Sequence, residues 1–282
     1  MDLGETGPIS FSLILDRMFA VYRRYFLVLV SVAGMPYALV AIIITIPILA
    51  VGSAGQQGAN AQPVPDPVFF LGVFAFIAGV FFLGAVFAWV ATSVAAWDVQ
   101  MGQKPRILRS YGFALRRSGT ILVAGFLGLL GIAAGYILLV IPGIFVALSI
   151  SLTWSIIAAE QKGPIESLRR SWELSRGYRW KIFLAFFMCG IFSAVISYAI
   201  LIPAMILLGF ASAGGTQPIW ATVVFLLAYI LGLALPAPLL VIALSLIYYD
   251  ARVRKEGFDL QRMLDALPPA AGTQAPQTPA VS

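Results

Sequence analysis

Eighteen lysines and arginines lie in four short clusters along this 282-residue chain, and the stretches between the clusters are apolar and free of positive charge. Between Arg24 and Lys104 there are 79 residues, between Arg117 and Lys162 there are 44, and between Lys181 and Arg252 there are 70. The hydrocarbon core of a bilayer is about 30 Å thick and takes roughly 20 mostly apolar residues to cross as a helix. Each gap therefore has room for two spans, six in all. A Lys or Arg at the centre of a span costs about 2.5 to 3.5 kcal/mol, which excludes these residues from the gaps. Because an even number of spans separates consecutive clusters, all four clusters fall on one face. The excess of Lys and Arg in cytoplasmic loops makes that face, and both termini, cytoplasmic.

The pattern predicts an all-α integral membrane protein with six transmembrane helices in three hairpins and cytoplasmic interfacial amphipathic helices. This six-span domain occupies residues 1–265, and a disordered cytoplasmic tail occupies 266–282, where PPAAGTQAPQTPAVS offers almost nothing to bury. Composition agrees: 61% of residues are hydrophobic and 11% charged, against about 25% charged in soluble domains. The basic residues flank the spans, so a pI near 9.6 reads as topology and lipid contact, and no nucleic-acid motif is present. Cys189 is the single cysteine. It cannot form an intramolecular disulfide and reads as a packed thiol, with no metal site and no cofactor. The opening MDLGETGPIS is acidic and lacks the features of a removable signal peptide.

Residues 9–24 read as an interfacial helix, with Phe11, Leu15, Met18, Tyr22 and Phe26 at the helical period. Spans are expected at 25–51, 68–97, 119–141, 143–159, 182–210 and 219–249. The third and fourth meet at Pro142-Gly143 with almost no polar loop, so two full spans and a re-entrant hairpin are both open. Charge-light loops fall at 52–67, with Asp66, and at 211–218. Breaks are expected at Pro36, Pro142, Pro203 and the Pro236/Pro238 pair. Gly125, Gly128, Gly131 and Gly135 allow close helix packing.

Aligning the clusters on an aromatic residue exposes a short repeat: Leu15-Asp16-Arg17-Met18-Phe19, Ile107-Leu108-Arg109-Ser110-Tyr111 and Leu168-Arg169-Arg170-Ser171-Trp172. An Arg stands two residues before each aromatic, and each segment leads into an apolar hairpin. A carboxylate recurs at the inner end of each hairpin's second span: Asp98, Glu160 and Asp250. The helix dipole disfavours an anion there, so these three are candidate structural ion pairs with the basic segments that follow.

Two stretches, GPIESLRRSWELSRGYRWKIF (163–183) and LIYYDARVRKEGFDLQRM (246–263), carry a resemblance. Glu160, Gly163-Pro164, Ser171 to Leu174, Arg176-Gly177, Tyr248 to Asp250, Arg252, Arg254 to Gly257 and Asp259-Leu260 together resemble the bacterial membrane domain first described as the membrane portion of certain glycerophosphodiester phosphodiesterases. The resemblance implies a multi-span module of the bacterial cytoplasmic (inner) membrane, often found without the enzyme. The catalytic part of such enzymes is a separate barrel using histidine and a metal held by carboxylates. This chain has no His, and the family name implies no activity here.

No Asp or Glu falls within an expected span, and the hydroxyls Ser149, Ser151, Thr153 and Ser155 read as helix-packing groups. The sequence therefore points away from an enzyme. The basic segments are the functional candidates, since each Lys or Arg near an anionic leaflet contributes about 1 kcal/mol. Arg23, Arg24, Arg109, Arg116, Arg117, Arg169, Arg170, Arg176, Arg179 and Lys181 are the candidate contacts for anionic headgroups or for a protein partner not named by the sequence. The reading is a membrane-embedded binding or scaffold module, with a transporter or channel for an apolar or lipid-like substrate as the alternative.

Overall fold

The computed structural model describes residues 11–55, 67–213 and 218–257, and among them every regular element is an α-helix. Asp66 and the expected disordered tail at 266–282 lie outside the described residues. In chain order the helices are α1 (Phe11–Arg24), α2 (Phe26–Gly55), α3 (Pro67–Gln100), α4 (Ile107–Arg116), α5 (Ser118–Leu138), α6 (Val140–Ile150), α7 (Thr153–Glu160), α8 (Pro164–Ser175), α9 (Arg179–Ala211), α10 (Ile219–Ala234) and α11 (Ala237–Glu256). Three consecutive pairs pack along one another: α2 with α3, α5 with α6, and α9 with α10. A shorter, more polar helix precedes each pair, namely α1, α4 and α8.

Five helical stretches are long and apolar enough to cross a membrane, and the pair formed by α1 and the first part of α2, bent by 86°, makes a sixth if counted as one. Their outer faces carry exposed Phe74, Phe76, Leu129, Val195 and Phe210. Water would penalise so much apolar surface, and lipid does not. The centre of the bundle is α11, buried nearly all round from Pro238 to Ala251 and touching α1, α2, α3, α7, α8 and α9. Against it pack Ile14 and Met18 of α1, Leu29 of α2, Ile156 of α7 and Ile182 of α9. The buried stripe of α1 is Ile14, Met18 and Val21. Phe26 leaves the expected stripe and is exposed, because the chain turns at Tyr25 before the period reaches it.

Two of the prolines differ from the expectation of broken helices, while the break expected at Pro236/Pro238 is present. Helix α2 continues through Pro36 and α9 through Pro203. A proline at position i lacks the N–H that would bond the carbonyl at i−4, so Pro36 frees the Val32 carbonyl, and the Tyr111 hydroxyl donates to that oxygen. Pro236 frees the Gly232 carbonyl in the same way, and the Ser197 hydroxyl donates to it at 2.6 Å. Here the helix does break, between α10 and α11. Leu239 N–H bonds the Pro236 carbonyl at 3.1 Å, leaving the Leu235 carbonyl to accept from Tyr22 Oη at 2.8 Å. Burial, with Tyr37 adding to it, holds the Tyr111 phenol above its usual pKa, so it remains a donor. Tyr111→Phe should cost about 1 to 2 kcal/mol, the value of a buried acceptor left alone. Combining it with Pro36→Ala, which restores the N–H, should shrink that cost in a double-mutant cycle of thermal unfolding. Additive effects would show that the hydroxyl is not replacing the missing helix bond.

Two boundaries differ from the sequence reading. The turn between α5 and α6 falls at Leu139, extended at φ −173° and ψ 157°, rather than at Pro142-Gly143. Pro142 lies in the first turn of α6, where its missing N–H costs nothing. The expected span 143–159 lies within Val140–Glu160, one stretch long and apolar enough to cross a membrane, with a turn between α6 and α7 at Ser151-Leu152 where both residues keep right-handed helical angles. There Ser151 Oγ donates to Leu148 O at 2.9 Å and Thr153 Oγ1 to Ile150 O at 2.6 Å, local bonds that compete with the helix ladder. The glycines of α5 face neighbours within the bundle. A Cβ on Gly125 would touch Trp154 at 3.4 Å, and one on Gly135 would lie 2.8 Å from Gly143 Cα.

Candidate functional site

Each of the three carboxylates is buried beside a cation, although Asp250 lies inside α11, which continues to Glu256, rather than at its end. Asp98 closes α3 with its side chain 4% exposed, and Arg109 Nη1 lies 3.5 Å from it. Arg109 also donates to Gln103 Oε1 at 2.6 Å. Asp250 of α11, 2% exposed, meets Arg254 Nε at 2.7 Å and Lys181 Nζ at 3.5 Å. Glu160 ends α7 and gathers the largest group. Lys162 Nζ lies at 3.2 Å, Arg170 Nε at 3.3 Å and Arg252 Nε at 3.8 Å, and the Tyr248 hydroxyl donates to Oε1 at 2.8 Å.

Glu256 completes this cluster. It pairs with Arg170 and takes Arg252 Nε at 3.5 Å, while Arg252 Nη1 donates to Tyr248 Oη at 3.2 Å. Burial works against the charge on Arg170, and the bond to Glu256 together with Glu160 outweighs it, raising the guanidinium above its usual pKa. The network ties α7, α8 and α11 together, and through Lys181 and Asp250 it adds α9.

The repeat has a structural counterpart. In α4 and α8 the Arg that stands two residues before the aromatic, Arg109 or Arg170, reaches the carboxylate ending the preceding apolar stretch, Asp98 or Glu160. Other basic candidates serve helix ends. Gln161 closes α7 in the left-handed conformation at φ 54°, and Arg117 Nη1 donates to its carbonyl at 2.6 Å. Arg179 Nε donates to Ser149 Oγ at 3.0 Å, and its guanidinium carbon lies 4.0 Å from the Phe145 ring centroid. Ser149 in turn accepts at its carbonyl from Ser171 Oγ at 2.9 Å, fixing α8 on α6. Arg23, Arg24, Arg116, Arg169 and Arg176 are exposed; Arg169 pairs with Glu173 at 3.1 Å within α8.

The ten basic candidates thus divide. Arg109, Arg117, Arg170, Arg179 and Lys181 hold the protein together, and the remaining five face outward. Sequence reasoning expected a basic partner for Asp250 from the segment that follows, as Arg254 is, but missed Tyr248, Lys255 and Glu256, although the i,i+4 spacing of Tyr248, Arg252 and Glu256 on α11 was visible.

Lys255 is the least expected of them. Its Nζ donates to the carbonyls of Glu173, Leu174 and Arg176 at 3.1, 3.0 and 2.7 Å. These oxygens lie at the C-terminal end of α8, where the last carbonyls lack helical partners and a cation is favoured. Lys255→Met should cost about 1 kcal/mol and raise amide exchange across residues 172–178 selectively; uniform exchange changes would refute a local capping role.

Chemically, these groups bind one another. The carboxylates face cations, the Tyr248 hydroxyl faces Glu160, and among the described residues no group of three or more His, Cys, Asp or Glu is placed to hold a metal ion. A separate cavity of about 310 Å³ lies beside the α10–α11 break, with Thr92, Cys189, Ser193 and Pro236 among its walls.

The model of a domain of unknown function (DUF7847) matches residues 10–251. No curated protein and no solved structure matches the chain.

Proposed function

We propose that this chain, which belongs to the DUF7847 family, is a multi-pass module of the bacterial inner membrane that binds or scaffolds and carries out no reaction of its own. Six spans form three hairpins, both termini are cytoplasmic, and α1, α4 and α8 lie at the cytoplasmic interface, where their basic residues contact anionic lipid headgroups or a protein partner. The observation that carries this reading is that the second basic segment touches the third, and the third and fourth meet around Glu160 and Asp250. Arg117 reaches Gln161, Arg170 reaches Glu256, and Lys181 reaches Asp250. These contacts support the placement of the second, third and fourth clusters on one side.

The exposed residues of the short helices support interfacial placement. Helix α4 presents Leu108 and Leu115 outward at 88% and 65% exposure, next to exposed Arg109 and Arg116. Apolar and basic groups side by side match the headgroup boundary. The absence of His and the single cysteine in the sequence argue against an enzyme, as does the engagement of the buried carboxylates with cations. The resemblance to the membrane portion of glycerophosphodiester phosphodiesterases supports a module that works apart from a catalytic barrel.

The break between α10 and α11 beside the 310 Å³ cavity favours a second reading, a transporter or channel for an apolar or lipid-like substrate. Transporters use unwound backbone to hold substrate. Here two carbonyls opened by the break are occupied by Ser197 and Tyr22, which favours the scaffold. In proteoliposomes the full chain should move neither fluorescent lipid nor small solutes faster than empty liposomes do. Flux above that background would overturn the scaffold reading in favour of transport.

A further inference from the structure

The exposed arginines of α8 border a groove whose depth is apolar. It encloses about 600 Å³ between α8 and the α5–α6 pair, with Gly131, Val146, Ile150 and Leu168 along its length and Arg169 and Arg176 at its rim. Gly131 keeps the floor low: a Cβ there would find its nearest neighbour, Val146, at 3.8 Å. Beneath Leu168 a second cavity of about 360 Å³ continues inward toward Trp89 and Trp154. Gly128, Ile150 and Leu168 line both spaces, so the groove and the inner cavity are neighbours that share one wall.

The rim also contains Glu173, paired with Arg169 at 3.1 Å, and two guanidinium groups against one carboxylate leave a net positive charge. Arg176 is exposed and forms no ion pair among the described residues. A guanidinium presents planar N–H donors matched to phosphate oxygens. Phosphate-binding donors at one end and a chain-shaped apolar channel at the other fit a single kind of ligand.

The geometry points to a binding site for one anionic phospholipid, its phosphate between Arg169 and Arg176 and an acyl chain along Gly131, Val146 and Ile150 beneath α8. This rests on the reading of the protein as a membrane-embedded binding module and gives it a specific ligand class and location. The charge complementarity selects lipid over an apolar peptide segment, and the apolar depth selects lipid over free phosphate.

The test is native mass spectrometry of the full chain released from detergent with phosphatidylglycerol, with phosphatidylcholine of the same chains, or with glycerol phosphate as a soluble headgroup. The wild type should retain phosphatidylglycerol over phosphatidylcholine, and glycerol phosphate should not compete. Arg169→Gln/Arg176→Gln should lower phosphatidylglycerol retention about tenfold. Gly131→Leu, which fills the groove, should lower retention of both lipids. Lys104→Gln/Arg106→Gln, removing two exposed charges elsewhere, should leave retention unchanged.

Unchanged thermal midpoints in the arginine double variant establish that it is folded. A wild type without preference for the anionic lipid overturns the lipid-binding reading itself. A preference that survives both the arginine and the Gly131 variants leaves that reading standing and overturns the groove. Competition by glycerol phosphate alone would assign the rim to free phosphate and overturn the lipid.

Discussion

Glu160→Ala lowers the thermal midpoint of the detergent-solubilised protein further than any substitution of an exposed carboxylate. The Glu160 side chain is 6% exposed and accepts from Tyr248 while facing Lys162, Arg170 and Arg252. Removing one partner from a buried ionic group leaves the others desolvated and uncompensated, at a cost of about 3 kcal/mol or more. Glu256 remains near Arg170 and Arg252 and offsets part of that loss. Glu160→Gln keeps an acceptor for Tyr248 and should fall between alanine and wild type. Glu166, 62% exposed and bonded to the same Lys162 at 3.5 Å, is the control, with an effect of about 0.5 kcal/mol or less. Equal shifts for Glu160→Ala and Glu166→Ala, followed by tryptophan fluorescence on heating, would falsify a structural role for the cluster.

The second large effect comes from a residue with no side chain. A Cβ on Gly135 would lie 2.8 Å from Gly143 Cα and 3.1 Å from Gly143 N. The obstructing atoms are backbone and cannot rotate away, so α5 and α6 must separate. Gly135→Val should cost about 3 kcal/mol through overpacking and open residues 132–147 to proteolysis in detergent. One turn earlier, Gly131→Ala meets nothing closer than 3.8 Å and should be neutral or slightly stabilising, because alanine favours helix. If the two glycines respond alike, the close approach at Gly143 is not what holds this hairpin.

These contrasts show where the sequence was sufficient and where it was not. The gaps between basic clusters require long apolar helical stretches, and α2, α3, α5, α9 and the stretches Val140–Glu160 (α6–α7) and Ile219–Glu256 (α10–α11) occupy them. The carboxylates Asp98, Glu160 and Asp250 were visible because an anion at a helix C-terminus is locally unfavourable and asks for a cation. The segment that answers was legible as well, since Arg109, Arg170 and Arg254 each follow the carboxylate they reach; that Arg252, 92 positions from Glu160, also reaches it was not, because the contact exists only through the central place of α11. The prolines were read as breaks from local chemistry alone. Val32 and Gly232 show that a hydroxyl from a distant helix can replace the missing bond, and nothing near Pro36 announces Tyr111. The turn at Ser151-Leu152 is local in cause, but three hydroxyls in five residues are equally compatible with an unbroken helix bonded back to its own carbonyls.

The bonds at the proline sites also set an order of assembly. When α2 first enters the membrane, the Val32 carbonyl has no hydroxyl to meet until Tyr111 is made, 79 residues later. Gly232 is different, because Ser197 precedes it by 35 residues and is present when α10 arrives. Leu235 accepts from Tyr22, 213 positions earlier, so the segment after α10 reaches its final bonding only by returning to α1. A chain released before α4 carries an unsatisfied carbonyl in apolar surroundings, and a chain lacking α1 carries one in its final segment. Helix α1 and the α10–α11 break are thereby made to depend on each other during biogenesis.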